Sequence, residues 1–150
     1  MAAFSVLSFS DNPVFKQYAT YAAVVTLKMM FLSYLTGRYR MSRKVFINPE
    51  DARGKMELVR RDDDVERVRR CHRNDVENIP PFLVLGLLYV LTGPSASAAA
   101  WHFRVFVASR FFHTVAYLTP LPQPSRFLGF LVGAVTNISM AVQVIMSGQL

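Results

Sequence analysis

The run FLGFLVGAVTNISMAVQVIM, from Phe127 to Met146, decides the fold. It holds about 20 residues and no charge, the length an α-helix needs to cross the hydrocarbon of a bilayer. Working back toward the N-terminus, Thr119-Pro-Leu-Pro-Gln-Pro-Ser125 reads as a stiff, proline-rich loop. Arg126 stands where that loop meets the helix. The stretch before it, Ala98 to Leu118, is also long enough to span but carries His102, Arg104, Arg110 and His113. Ile79 to Leu91 is too short to span alone. The helix expected over Asp62–Asn78 therefore feeds into it. Asp62, Asp63 and Asp64 lie where the positive end of a helix dipole favours acids, whereas Val65, Val68 and Val76 are too sparse for a soluble core. Pro80-Pro81 removes two backbone donors and predicts a kink. Gly93-Pro94 ends the helix. The first apolar stretch, Tyr18 to Leu35, is interrupted only by Lys28, with Asn12-Pro13 as its expected start and Gly37 as its expected end. The expectation is one all-α domain, an integral membrane four-helix bundle over residues 1–150, with spans about 14–36, 65–92, 98–119 and 127–146.

The composition agrees with that patterning. Of 150 residues, 52% are hydrophobic and the net charge is +7, yet the charge is segregated. The segment Arg38–Arg73 holds 12 of the 17 Lys and Arg residues. A soluble domain would spread charge over its surface. The positive-inside rule places this loop in the cytosol. Four spans then put both termini in the lumen and return the proline-rich loop and Arg126 to the cytosolic face. The first apolar run is too long, and lacks the short basic head, for a cleavable leader. The single cysteine, Cys71, allows no disulfide framework. His72, His102 and His113 have no metal-ligand spacing, so no metal is expected, and neither is a nucleic-acid partner.

The polar residues gather at that face. Arg70, Arg73, Asn74 and Glu77 recur at helical spacings of three and four on the second helix. Arg110, His113, Thr114 and Tyr117 do so on the third, and Arg126 opens the fourth. An arginine in the middle of a membrane helix costs about 2.5–3.5 kcal/mol on insertion scales, so function is the default reading. The structural alternative is an ordinary Arg73–Glu77 pair with the other arginines reaching to the interface. Lys28 and Arg104 read as structural, Lys28 pairing with a neighbour, and Cys71 and His72 are assigned no role. A cation-rich pocket with one acid suits a small anionic ligand that also carries an amine. Opening to the cytosol between apolar helices, it could join a water-soluble cosubstrate to a lipid-dissolved one.

These residues resemble the MAPEG superfamily, the membrane-associated proteins of eicosanoid and glutathione metabolism. The resemblance runs through Asn48-Pro-Glu-Asp51, Val65-Glu-Arg-Val-Arg-Arg-Cys-His-Arg-Asn-Asp-Val-Glu-Asn78, Pro81-Phe-Leu, Gly86-Leu-Leu-Tyr89, His102-Phe-Arg-Val-Phe-Val and His113-Thr-Val-Ala-Tyr-Leu-Thr-Pro-Leu-Pro-Gln-Pro124, with Arg110 and Arg126. It covers nearly all of the chain after about Val25. The glutathione transferase branch is most similar and the prostaglandin E synthase branch is next. The resemblance implies a homotrimer of four-helix subunits in the endoplasmic reticulum membrane, or also the mitochondrial outer membrane, binding glutathione as cosubstrate between subunits near the cytosolic face. It implies a hydrophobic electrophile or lipid hydroperoxide as the second substrate. Arg73, Asn74 and Glu77 would hold the peptide part of glutathione, Glu77 pairing with its amine. His113 and Tyr117, with Arg70 and Arg110, would line the pocket, Arg126 would sit by the sulfur, and Arg40 would reach a neighbouring subunit's glutathione. The prostaglandin synthase branch has a serine and a tyrosine where this chain has Phe127 and Phe130, which argues against efficient prostaglandin isomerisation. Mammalian transferases of the family carry a cysteine where this chain has Ala52. A prostaglandin synthase-type isomerase and a non-enzymatic membrane adaptor are the alternatives. A channel or transporter would need polar groups through the full bilayer depth.

Overall fold

The computed structural model describes residues 7–148. Four helices carry the chain: α1 (Pro13–Arg43), α2 (Asp63–Leu91), α3 (Ala96–Leu118) and α4 (Ser125–Ser147). The N-terminus of α1 is set by Asn12, whose side-chain oxygen accepts from the backbone N–H of Val14 at 2.9 Å and of Phe15 at 3.2 Å. Pro13 follows it at the first helical position, where its missing N–H costs nothing. α1 does not stop at Gly37, as the sequence suggested, but continues to Arg43. A glycine inside a helix costs only about 1 kcal/mol, and the residues after it include Arg40 and Arg43, cations that suit a helix C-terminus. The helix ends at Lys44, which takes the left-handed conformation at φ 51°.

The basic segment between α1 and α2 contains two short 3-10 turns, Pro49–Ala52 and Met56–Leu58. Its base is closed by an isolated bridge between Phe46 and Val59 and by an ion pair of Arg43 with Asp64. Asp62 then caps α2, accepting from Asp64 and Val65 N–H at 3.1 Å each. From there α2 runs as one helix of 29 residues through Pro80-Pro81 to Leu91, and Gly93, at φ 68°, turns the chain.

The core forms along one stripe of each helix. On α2 the buried residues Val65, Val68, Cys71, Asp75, Ile79, Phe82, Gly86 and Tyr89 recur at spacings of three and four, which puts them on one face. Val65 and Val68, judged too sparse from sequence, belong to this stripe, while Val76 is exposed. Phe82 stacks on Phe106 of α3, ring centroids 4.0 Å apart. Tyr18 of α1 crosses above Gly86, where any side chain would meet its ring, and its hydroxyl donates to the Leu83 carbonyl at 2.6 Å. α3 and α4 are held by His102, whose Nε2 lies 2.9 Å from Ser139 Oγ, and by two glycines. A Cβ added at Gly129 would lie 3.1 Å from the Cα of His113, and one at Gly133 would lie 2.9 Å from Ser109 Oγ. These two glycines let α4 lie close against α3.

The outward faces of α1 and α4 are apolar. Leu27, Met30, Phe31 and Tyr34 of α1 are exposed, as are Leu131, Val135, Ile138, Val142 and Ile145 of α4. Such continuous apolar surface marks a membrane or protein interface. On length and composition alone, α1 and α4 can each cross a membrane.

Candidate functional site

The close approach at Gly129 sets the start of α4 against the end of α3. Arg126, one turn before that glycine, lies with its guanidinium carbon 5.0 Å from the ring centre of Tyr117. Tyr117 in turn faces His113, ring centres 5.5 Å apart. His113 Nδ1 is 3.4 Å from Arg110 Nη2. That same Nη2 donates to Asn74 Oδ1 on α2 at 2.6 Å. Five of the residues singled out from sequence, Asn74, Arg110, His113, Tyr117 and Arg126, thus form one continuous line of contacts across α2, α3 and α4. Among the described residues, no carboxylate pairs with Arg126, and its buried Nε has no hydrogen-bond partner. A permanent cation beside an aromatic face, with no anion of its own, is set to receive one.

Behind this line lies a group that sequence reasoning missed. Asp75 is wholly buried. Its Oδ1 accepts from Arg110 Nε at 3.2 Å and Nη2 at 2.7 Å, and its Oδ2 pairs with Lys28 Nζ of α1 at 2.5 Å. The pairing expected for Lys28 therefore exists, and one carboxylate joins α1, α2 and α3. Arg110 is fully buried inside this cluster, its Nη1 unpartnered. Removing Asp75 alone would leave two buried cations uncompensated and cost about 3–5 kcal/mol. The signal for Asp75 was present in the sequence. It falls at the buried register of α2, between Cys71 and Ile79, as Lys28 falls at the buried register of α1, between Val25 and Leu32.

The remaining residues stand apart from this line. Arg73 Nε pairs with Glu77 Oε1 at 3.0 Å, with side chains 80% and 54% exposed. Arg70 is exposed on the same side of α2. No hydrogen bond, ion pair or ring contact among the described residues joins these three to Tyr117 or Arg126. Arg40 lies elsewhere again, at the end of α1, in a cavity of about 880 Å³ shared with Lys44, Arg53, Lys55, Glu50 and Asp51. Its Nε is buried without a partner. Ala52 lines this cavity and is buried. Arg104 donates to the Tyr21 hydroxyl at 3.1 Å, and Cys71 is buried against Thr114, so both have local structural roles.

Comparison with known proteins identifies relatives over nearly the whole chain. Residues 18–146 match the model of the MAPEG family. The chain is 54% identical to microsomal glutathione S-transferase 1 of Homo sapiens over 143 residues, covering 91% of this chain and 92% of that one. The identity to the Bos taurus protein of the same name is 51%, with the same coverage. It is 41% identical to prostaglandin E synthase of Bos taurus over 143 residues, covering 94% of each.

Proposed function

The chain belongs to the MAPEG family, and from that premise we propose that it is a membrane-bound glutathione transferase that joins the thiolate of glutathione to hydrophobic electrophiles. The identity to glutathione transferases over nearly the whole chain supports this. The observation that carries it is Arg126, a cation set over Tyr117 with a buried, unpartnered Nε.

The chemistry follows from that cation. A free thiol has a pKa near 8.5, so only a few per cent is thiolate at neutral pH. Arg126 stabilises the thiolate by its permanent charge, with the positive end of α4 adding to it. The thiolate sulfur then forms a bond to an electrophilic carbon and the leaving group departs with the bonding electrons. With a lipid hydroperoxide, the sulfur takes the terminal oxygen as the O–O bond breaks, releasing the alcohol and leaving a sulfenic acid, which a second glutathione converts to the disulfide and water. Complete ionisation raises thiolate concentration only about thirtyfold, roughly 2 kcal/mol. Part of this is lost, because a less basic thiolate is a weaker nucleophile. Holding two substrates from different phases in contact must therefore supply at least as much.

The assembly proposed is a homotrimer with the site between subunits. The exposed Arg70, Arg73 and Glu77 favour it, because charged side chains facing lipid are costly and a neighbouring subunit would cover them. In that arrangement Arg73, Asn74 and Glu77 hold the peptide part of glutathione, Glu77 taking its amine, and His113 and Tyr117 line the pocket. Arg40 reaches the cosubstrate of the adjacent subunit. The concentration of basic residues between Arg38 and Arg73 favours a site facing the cytosol, and the microsomal relatives favour the endoplasmic reticulum membrane. The test is conjugation by the purified protein of a panel of electrophiles and hydroperoxides, with and without glutathione. Glutathione-dependent product is the expected result, and a protein that forms none fails the reading.

A further inference from the structure

We propose that Asp75 is a positioning residue for the glutathione site: by holding Arg110, it makes Asn74 and His113 present N–H donors to the cosubstrate. The inference rests on the glutathione reading above and adds to it a carboxylate that never touches the ligand.

A guanidinium can only donate hydrogen bonds. The Asn74 amide atom 2.6 Å from Arg110 Nη2 is therefore its oxygen, which fixes the amide with its NH2 group turned away from Arg110. Asp75 and Asn74 take the two protons of Nη2, so His113 Nδ1, 3.4 Å away, only shares one of them; it still faces a cation, which favours its lone pair there over an N–H. The ring proton of His113 then sits on Nε2. Among the described residues, no hydrogen bond engages the Asn74 amide N–H groups or His113 Nε2. Both are left as donors on the line that ends at Arg126. Glutathione carries two carboxylates and a thiolate, and it needs donors.

Arg110 imposes this order only while it is itself held. Asp75 takes Nε and Nη2 on one oxygen, and Lys28 from α1 holds the other oxygen at 2.5 Å. Released from Asp75, the guanidinium could turn, the Asn74 amide could flip, and His113 could take either tautomer. A cluster that merely joined three helices would need the ion pairs but would not need Asn74 and His113 on the same guanidinium nitrogen.

The test compares two variants of the full chain in detergent. Lys28→Met removes the outer cation and leaves the Asp75–Arg110 clamp. Lys28→Met with Asp75→Asn removes the clamp while keeping the net +1 of the wild-type cluster. Glutathione binding is measured first on the wild type by calorimetry. Kinetics and ¹⁵N spectra of histidine-labelled protein follow, with His113→Gln used to assign the His113 signals. Lys28→Met should keep the wild-type KM for glutathione and the Nε2–H form of His113. The double variant should raise that KM about tenfold, the range of a lost charge-assisted hydrogen bond. Its kcat at saturating glutathione should stay within about threefold of wild type, and its His113 signals should become those of a tautomer mixture. If the double variant does not fold, Arg110→Lys keeps the charge but has no fork to hold both partners, and should raise KM in the same way. Wild-type KM and an unchanged His113 spectrum in the clamp-free protein overturn the inference. A wild type that binds no glutathione overturns the parent reading instead, and the His113 spectra still decide whether the clamp exists.

Discussion

Gly129→Ala should separate activity from glutathione binding, and its size follows from the packing of α4 on α3. The added Cβ would lie 3.1 Å from both Cα and Cβ of His113 and 3.2 Å from its backbone nitrogen. Carbon atoms rest at about 3.5–4.0 Å, so the helices must separate by roughly 0.4 Å or more. Neither neighbour can rotate away, because two are backbone atoms and the third is attached to them. Overpacking of this kind costs about 1–3 kcal/mol. Arg126 lies only three residues before Gly129, about 4.5 Å along the helix, so it moves with the glycine. A misplacement of 1 Å can cost about 10²-fold in rate, and a shift of under half that should cost roughly three- to tenfold in kcat. The glutathione KM should rise by less than kcat falls, since Asn74 and Glu77 on α2 are undisturbed and only His113 meets the added methyl. Gly37→Ala is the control. Nothing lies within 4 Å of its added Cβ, and it sits inside α1, so it should stabilise by about 0.5–1 kcal/mol with no effect on rate. Thermal unfolding in detergent and steady-state conjugation kinetics read both. A Gly129→Ala protein with wild-type stability and kcat would refute the reasoning, for Arg126 would not then be placed by this contact.

Three other outcomes follow from the same geometry. Glu77→Gln should weaken glutathione binding about tenfold or more, because a charge-assisted hydrogen bond contributes roughly 1.5–3 kcal/mol; unchanged affinity in calorimetry would leave Glu77 only as the partner of Arg73. Native mass measurement in mild detergent should give three copies of the chain, and a fully active monomer would contradict a site shared between subunits. Protease added to sealed microsomes should cut within Arg38–Arg73, whereas protection there with cleavage at Ser95–Ser97 would place the site in the lumen.

The parts of this fold that follow from local rules were legible before the structure. Asn12 and Asp62 cap helices as their side chains require, Gly93 turns the chain after α2, and the apolar run from Phe127 lies within α4. The end of α1 was not legible, because a lone glycine at 37 is a weak stop when the residues after it still favour helix. Asn74, Arg110, His113 and Tyr117 stood out because they recur with other polar residues at helical spacing, and Arg126 because it opens the last helix; the structure brings the five into one line of contacts. Asp75 was missed for the same reason. Attention to the polar face of α2, Arg70 to Glu77, hid the fact that its neighbour stands in the apolar stripe. A charge at a buried register has meaning only when a partner is known, and the partners of Asp75 are 47 and 35 residues away. Arg70, Arg73 and Glu77 share no hydrogen bond, ion pair or ring contact with Arg126 among the described residues, and the homotrimer proposed above is what would bring them together.

The most direct test of the central claim is the ultraviolet absorbance of thiolate when glutathione is added to the enzyme and to Arg126→Ala. If α2 and α3 hold the peptide part of glutathione as proposed, binding should survive the substitution while conjugation slows. Wild type should form thiolate at neutral pH. The variant should need a pH higher by up to about 1.5 units, the equivalent of the thirtyfold ionisation that one fixed cation can supply. If Arg126→Ala forms thiolate as readily as wild type and keeps its turnover, Arg126 is an interfacial anchor, and the sulfur is activated by another group, with Tyr117 the next to test.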